Sequence, residues 1–411
     1  AQALATLKDQ SRLIRNAALK QAAALCTETE INALLETVST RQRAAILILL
    51  RKAQRLRIID LELERLAALN SPELPQFLAY GSGEVAGRLF PALIEQLSEQ
   101  NWRRLAKFHP GLVADALLVR AQTAESADLR LAWQVKSVLP LLAKKVPDKA
   151  LALMTELTRV APLSQFDVSV LARRRPNELA TLALQTGSIP SGAFDAVADR
   201  LDDAPLHALL KWGAISGSYT TRLLKRLRPE RREAAFDALY APDAVVPAAF
   251  IGYLPAKRRE QEARRHLALP QFAATPHERL PYSAYLPWDE MQTLLEPYLK
   301  NPDAELRGVA LYASAHAVRF QRDHLGDVLQ TYAAKKSEQD PVRLRMLMGL
   351  SEIPVPAFQT EHLESLTAIL KAMLDAKDRS YTTTNYAQKL VFRLLPVFPE
   401  WAAPRLGEII K

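Results

Sequence analysis

Asn301–Leu311 (NPDAELRGVAL) and Glu338–Leu350 (EQDPVRLRMLMGL) share one order of residue types, and this order decides the fold. Each stretch begins with a polar turn and a proline, carries an acid beside that proline, and continues through an arginine into an apolar segment. Proline is favoured in the first turn of a helix, and an acid there stabilises the positive end of the helix dipole. The pattern therefore predicts that each stretch opens a helix.

A second phrase recurs in the middle of the chain, at Leu171–Leu184 (LARRRPNELATLAL) and Leu223–Leu239 (LLKRLRPERREAAFDAL), and in varied form at Leu254–Leu267 (LPAKRREQEARRHL). A basic run ends one helix, where cations complement the negative end of its dipole, and proline starts the next. Recurrence at intervals of roughly 30 to 50 residues is typical of a helical repeat protein. The chain is therefore predicted to be a repeat array.

The composition agrees with short stacked helices. The 411 residues include only 13 glycines but 26 prolines, and the apolar residues follow a helical period without convincing alternation. We predict an all-α, right-handed α-solenoid of stacked antiparallel helix pairs, with about eight to ten units. The solenoid is expected to be continuous over residues 1–411. A softer junction is expected near the proline-rich residues 268–288, between residues 1–270 and a C-terminal module, 285–411.

The segment NPDAELRGVAL resembles the second half of a HEAT repeat, the armadillo-like α-solenoid unit. In that family, an acid after the inter-helix turn and an arginine further on bond to the neighbouring unit. The resemblance implies this structural role for five residues: Asp303, Arg307, Asp340, Arg343 and Arg15. Asp340 and Arg343 have a shorter spacing than the family pattern, and Ser11 stands in place of the acid before Arg15.

Basic clusters are the candidate contacts to a phosphate backbone or an acidic partner, in a chain whose net charge is +9. The alternative is that they are solvated helix ends and inter-repeat ion pairs, since acids are interspersed among them. The candidate contacts are Arg173, Arg174, Arg175, Lys225, Arg226, Arg228, Arg231, Arg232, Lys257, Arg258 and Arg259.

No other motif points to a catalytic, cofactor or metal site. The seven histidines are scattered without metal-ligand spacing, and no glycine-rich phosphate loop or nucleophile elbow is present. We therefore predict no cofactor and no metal. The five tryptophans are interpreted as packing residues, although HEAT-like DNA glycosylases use tryptophans together with an aspartate on the concave face.

The function that this architecture favours is a non-catalytic interaction scaffold that holds a protein or peptide partner in its concave groove. One alternative is a protein that binds the DNA backbone, including a HEAT-like DNA glycosylase. The other is an all-helical enzyme with an unrecognised pocket. A single cysteine, Cys26, and the lack of an apolar run near the roughly 20 residues that span a bilayer predict a cytoplasmic protein, or a nuclear one in a eukaryote. Nothing in the sequence indicates an oligomeric state.

Overall fold

A computed structural model describes residues 12–124, 129–190, 192–214 and 218–410, and within these ranges the regular elements are all helical. The prediction of an all-α fold is confirmed for them. The chain forms two compact units, Ala1–Arg226 and Leu227–Lys411. Across the same ranges, no helix combines the length and the apolar character that crossing a membrane requires.

The first unit contains short helices that mostly begin at a proline or at a capping residue. The side chains of Thr27 and Ser39 each accept a hydrogen bond from a backbone N–H, and their own N–H groups donate to the Glu30 and Gln42 side chains, which completes a capping box. Its helices are α1 (Arg12–Leu25), α2 (Glu28–Thr37), α3 (Thr40–Lys52), α4 (Leu56–Ala68), α5 (Leu74–Phe77), α6 (Gly83–Leu93), α7 (Glu99–Phe108), α8 (Pro110–Thr123), α9 (Leu129–Lys145), α10 (Pro147–Leu157), α11 (Ser169–Arg174), α12 (Pro176–Thr186), α13 (Asp203–Ala214) and α14 (Ser218–Arg226).

The core of the first unit contains one buried ionic group. Arg43 is 8% exposed and Glu62 is 3% exposed, and their side chains lie 3.0 Å apart. Arg43 also contacts Glu73 and donates to the Leu35 carbonyl at 2.8 Å, while Arg65 pairs with Glu62 at 2.7 Å. A buried charge persists only when it is paired and hydrogen-bonded in this way. The group thus joins α3, α4 and the segment before α5.

The second unit begins with a proline-opened helix, and its last seven described helices have 10 to 14 residues each. Its helices are α15 (Pro229–Leu239), α16 (Ala248–Ile251), α17 (Ala256–Leu267), α18 (Pro276–Arg279), α19 (Trp288–Leu299), α20 (Ala304–Ala317), α21 (Leu325–Ala334), α22 (Asp340–Glu352), α23 (Leu363–Leu374), α24 (Tyr381–Leu394) and α25 (Pro399–Ile410). A 3-10 helix, Leu280–Tyr285, follows α18, so residues 268–288 hold short helices inside this unit. The softer junction expected there stays a prediction.

Helices α20, α22 and α24 lie side by side and run in the same direction. A methyl group added to Gly308 would lie 3.2 Å from Arg345 Cγ, whereas one added to Gly349 would lie 2.7 Å from Ala315 Cβ. The N-terminal halves of α20 and α22 therefore face each other, and so do their C-terminal halves. Bonds from α24 to residues 340 and 353 place it beside α22 in the same sense.

Helix α19 precedes α20 and packs against it, whereas α21 and α23 lie in sequence between the helices of this layer. The Tyr332 hydroxyl, on α21, is fully buried and donates to the Leu311 carbonyl of α20 at 2.8 Å. Helix α21 also packs against α23. The C-terminal α25 packs on α24, and Trp401 Nε1 donates to Thr367 Oγ1 of α23 at 2.9 Å. Burial of the polar tips of these large side chains is thus compensated by hydrogen bonds.

His266, on α17, is fully buried and holds the segment before α16 in place. Its Nδ1 lies 2.7 Å from the Glu262 carbonyl, and its Nε2 accepts a hydrogen bond from the Val246 N–H at 2.9 Å. The ring stacks on Tyr282, whose hydroxyl donates to the Val246 carbonyl at 2.7 Å. Only a neutral imidazole protonated on Nδ1 satisfies both nitrogens. Burial accordingly lowers the pKa of His266.

We expect the stability of the second unit to fall as the pH falls below the ordinary histidine pKa of about 6.5, because the unfolded chain binds a proton that folded His266 does not. Each such proton steepens the slope of unfolding free energy against pH by at most about 1.4 kcal/mol per pH unit. His266→Gln cannot titrate. It should lower stability at neutral pH and flatten the slope, as measured by urea unfolding at several pH values. Equal slopes in the two proteins would contradict this assignment.

Candidate functional site

Asp303 and Arg307, which the resemblance places between repeats, lie at the start of α20. Asp303 is the N-cap and accepts from the Glu305 N–H at 2.8 Å. Arg307 binds both carboxylate oxygens of Glu338, at 3.0 and 2.7 Å, and donates to the Asn301 and Pro302 carbonyls at 2.8 Å each. The arginine lowers the pKa of Glu338. Arg307 therefore connects the start of α20 to the segment before α22.

Arg343 and Asp340 form the equivalent connection between α22 and α24. Arg343 is 3% exposed, donates to Asp378 Oδ1 at 2.6 Å, and contacts the Glu338 carbonyl. Asp340 accepts from Thr383 Oγ1 at 2.8 Å. These bonds join the start of α22 to the start of α24. The side chain of Arg15 and the residue Ser11 lie outside the described residues.

Replacing Arg343 with alanine should lower the free energy of unfolding of the second unit by about 2 kcal/mol, because it removes charge-assisted hydrogen bonds from a buried position. Urea unfolding measures this loss. Lys377→Ala removes an exposed cation next to Asp378 and serves as the control, with a change expected within about 0.5 kcal/mol. Similar losses in both variants would show that Arg343 has no special structural role.

The predicted basic clusters divide between the two units, and several members are bound to their own chain. Arg175 pairs with Asp148 at 2.6 Å, and Arg258 pairs with Asp237 at 2.9 Å and with Glu262 at 3.2 Å. Arg232 donates to the Leu227 carbonyl at 2.7 Å. The exposed members are Arg173, Arg174, Lys225, Arg226, Arg228 and Lys257, and Arg231 is partly exposed. The cation count therefore overstates the charge available to a partner.

The tryptophans differ in how much of each side chain is exposed. Trp102 is fully buried against Phe90, with ring centroids 5.6 Å apart, and Trp288 is 7% exposed. Trp133 and Trp212 are 46% and 40% exposed, and the Trp212 ring packs edge-to-face on Tyr219 with centroids 5.8 Å apart. Their packing role stays a prediction. Both lie in the first unit, on α9 and α13. Among the described residues, no group of three or more histidine, cysteine, aspartate or glutamate side chains could hold a metal ion.

A surface that sequence reasoning missed is formed by the solvent side of α20, α22 and α24. Counted from the N-caps Asp303, Gln339 and Ser380, the fifth, ninth and thirteenth residues of each helix lie in rows across the layer. Except for the buried Gly308, these residues are at least partly exposed. We call them the three-helix face: Gly308, Leu344, Asn385, Tyr312, Met348, Lys389, His316, Glu352 and Arg393.

A cleft opens between the N-terminal halves of α20 and α22, at one end of the three-helix face. Its volume is about 620 Å³. It is lined by Ala304, Glu305, Gly308, Pro341, Leu344, Arg345 and Met348. Most of these side chains are apolar or small, while Glu305 and Arg345 provide one charge of each sign. The cleft can therefore hold an apolar side chain with a polar neighbour.

A polar cluster lies at the opposite end of the face, where α20 and α22 end. The Tyr312 hydroxyl donates to Glu352 Oε2 at 2.8 Å, and His316 Nδ1 lies 3.4 Å from the same oxygen. Tyr285, which is 6% exposed, donates to the Ala248 carbonyl at 2.5 Å and lies 3.5 Å from His316 Nε2. Arg319 lies 3.8 Å from Glu352. We call these residues, together with the neighbouring Arg259 and Phe320, the polar cluster.

Burial and hydrogen bonding set the charges in the polar cluster. Burial lowers the pKa of His316 and raises those of Tyr285 and Tyr312. Burial also acts to raise the pKa of Glu352, but hydrogen bonds with His316 and Tyr312 outweigh it and leave the pKa below its ordinary value. At neutral pH the cluster therefore contains a neutral imidazole, protonated tyrosines and one carboxylate.

The residues of the polar cluster lie between positions 259 and 352, on four helices and one turn. Because they are far apart in sequence, no sequence motif predicts the cluster. The local signal that exists is Tyr312 and His316, four residues apart on one face of a helix whose other positions are mostly apolar. That spacing identifies a polar stripe but does not identify its partners on other helices.

Comparison with known proteins identified no relative of this chain. No protein-family model matches the chain, and no curated protein matches its sequence.

Proposed function

We propose that the protein is a HEAT-like α-solenoid and a non-catalytic scaffold, and that it binds an extended peptide segment of a protein partner across the three-helix face. The parallel packing of α20, α22 and α24, with α21 and α23 between them in sequence, supports a stack of helix pairs. In such a stack, the three-helix face is the concave surface. The exposed rows on neighbouring parallel helices are the observation that carries this proposal.

The dimensions of the face suit an extended chain. Packed helices lie about 8–10 Å apart, and an extended peptide rises about 3.3 Å per residue, so each helix meets about three peptide residues. Three helices would contact about nine. The apolar cleft beside Leu344 and Met348 offers an anchor for one apolar side chain, and Asn385 and Lys389 offer polar contacts further across. An apolar anchor with polar surroundings is typical of peptide-binding surfaces.

We expect the full chain to select binders from a library of random peptides about 12 residues long, which covers the face with a margin. Met348→Glu should weaken the selected peptides by about tenfold, because it places a charge in the apolar cleft. Ala368→Glu, at an exposed position of α23 outside the face, is the matched control and should leave affinity within about twofold. Fluorescence polarisation measures the affinities, and thermal unfolding checks that both variants fold.

Two outcomes would overturn the proposal. One is a library without binders, and the other is equal weakening by Met348→Glu and Ala368→Glu. Binding of a generic DNA duplex that falls steeply with salt, together with an empty peptide library, would favour a backbone-binding function instead. The internal pairing of Arg175, Arg258 and Arg232 is the reason for placing the peptide first.

A further inference from the structure

Arg259, on α17, is a partly buried cation with few partners. Its guanidinium lies over the Phe320 ring, 3.9 Å from the centroid, and donates to the Leu254 carbonyl at 3.3 Å. No carboxylate lies within ion-pair distance of it in the described parts of the chain. Burial lowers the pKa of Arg259, yet an arginine remains charged at neutral pH. A guanidinium in such a position is stabilised by an anion that reaches it.

Arg319 approaches the same spot from the end of α20. Its guanidinium carbon lies 5.8 Å from the Phe320 centroid, on the ring that Arg259 also covers. Its side chain is 32% exposed, and its Nη1 lies 3.3 Å from His316 Nε2. Arg259 and Arg319 both influence His316 and Tyr285 electrostatically. Both guanidinium groups therefore lie beside one ring, at a partly exposed site at the edge of the three-helix face.

The charge balance of this site is one positive charge in excess. The described groups that face it are Arg259, Tyr285, Tyr312, His316, Arg319 and Glu352, of which only the two arginines and Glu352 are charged at neutral pH. Glu352 is already engaged by Tyr312 and His316, and it is 3.8 Å from Arg319. A single added carboxylate would neutralise the site, whereas a doubly charged phosphate would overshoot beside Glu352.

We propose that the peptide partner carries an aspartate or glutamate whose carboxylate binds between Arg259 and Arg319, at the C-terminal end of α20. This inference rests on the proposed function and names the chemistry of the partner at one end of the three-helix face.

The experiment compares two peptide libraries of about 12 residues, identical except that one central residue is fixed as glutamate in the first and as glutamine in the second. The glutamate library should yield binders about tenfold more often or more tightly, because the carboxylate gains charge-assisted hydrogen bonds. Equal yields would overturn the carboxylate site while leaving the proposed function in place. If neither library binds, the proposed function fails and the inference fails with it.

Arginine variants then test which side chains cause the preference for glutamate. Arg319→Gln should weaken the best glutamate peptide by about tenfold and its glutamine counterpart by less than about twofold. Arg259→Gln should behave in the same way, and Arg319 serves as the independent site if loss of the Phe320 contact unfolds the Arg259 variant. Arg322→Gln removes an exposed charge nearby and should affect both peptides equally and weakly.

Two results would count against the carboxylate. The first is equal weakening of the glutamate and glutamine peptides by Arg319→Gln, which would reduce that arginine to a structural role. The second is about tenfold tighter binding when phosphoserine replaces the glutamate, which would assign the site to a phosphorylated partner instead.

Discussion

The second unit depends on the buried arginine at the start of α22. Arg343 lies in the core between α20 and α24 with 3% of its surface exposed, so its charge has to be met by Asp378, Asp340 and the Glu338 carbonyl. These oxygens come from the start of α22 and from the segments that precede α22 and α24, so the bonds tie the N-terminal ends of the two helices together. In coiled coils, a polar group in an apolar core specifies the register of neighbouring helices.

Local signals in the sequence made the helix boundaries predictable, whereas the contacts between helices could not be predicted from the sequence. The acid and proline before α20, and the basic run before the proline of α12 and α15, mark helix ends because capping and dipole effects act within one turn. Prolines were less reliable as breaks, since Pro140 lies inside α9 and Pro404 inside α25.

The candidate site was unpredictable for a related reason. Its two ends are made by side chains that have ordinary local roles in the sequence, such as Met348 in an apolar helix and Arg259 in a basic run. Their meaning comes from the parallel arrangement of helices that are separated by an intervening helix in the chain. The resemblance to a stacked repeat indicated that some face would be shared, but not which residues would share it. The local pattern singled out Asp303 and Arg307 but did not identify their partners, the Glu305 N–H and the Glu338 carboxylate, and their role between repeats stays a prediction.

Gly308 and Gly349 let α20 and α22 approach closely at both ends of their junction. A methyl group at Gly308 would lie 3.7 Å from Val342 Cα, and one at Gly349 would lie 2.7 Å from Ala315 Cβ. A side chain at Gly349 would therefore force the two helices apart. The spacing of the layer thus depends on a position that has no side chain.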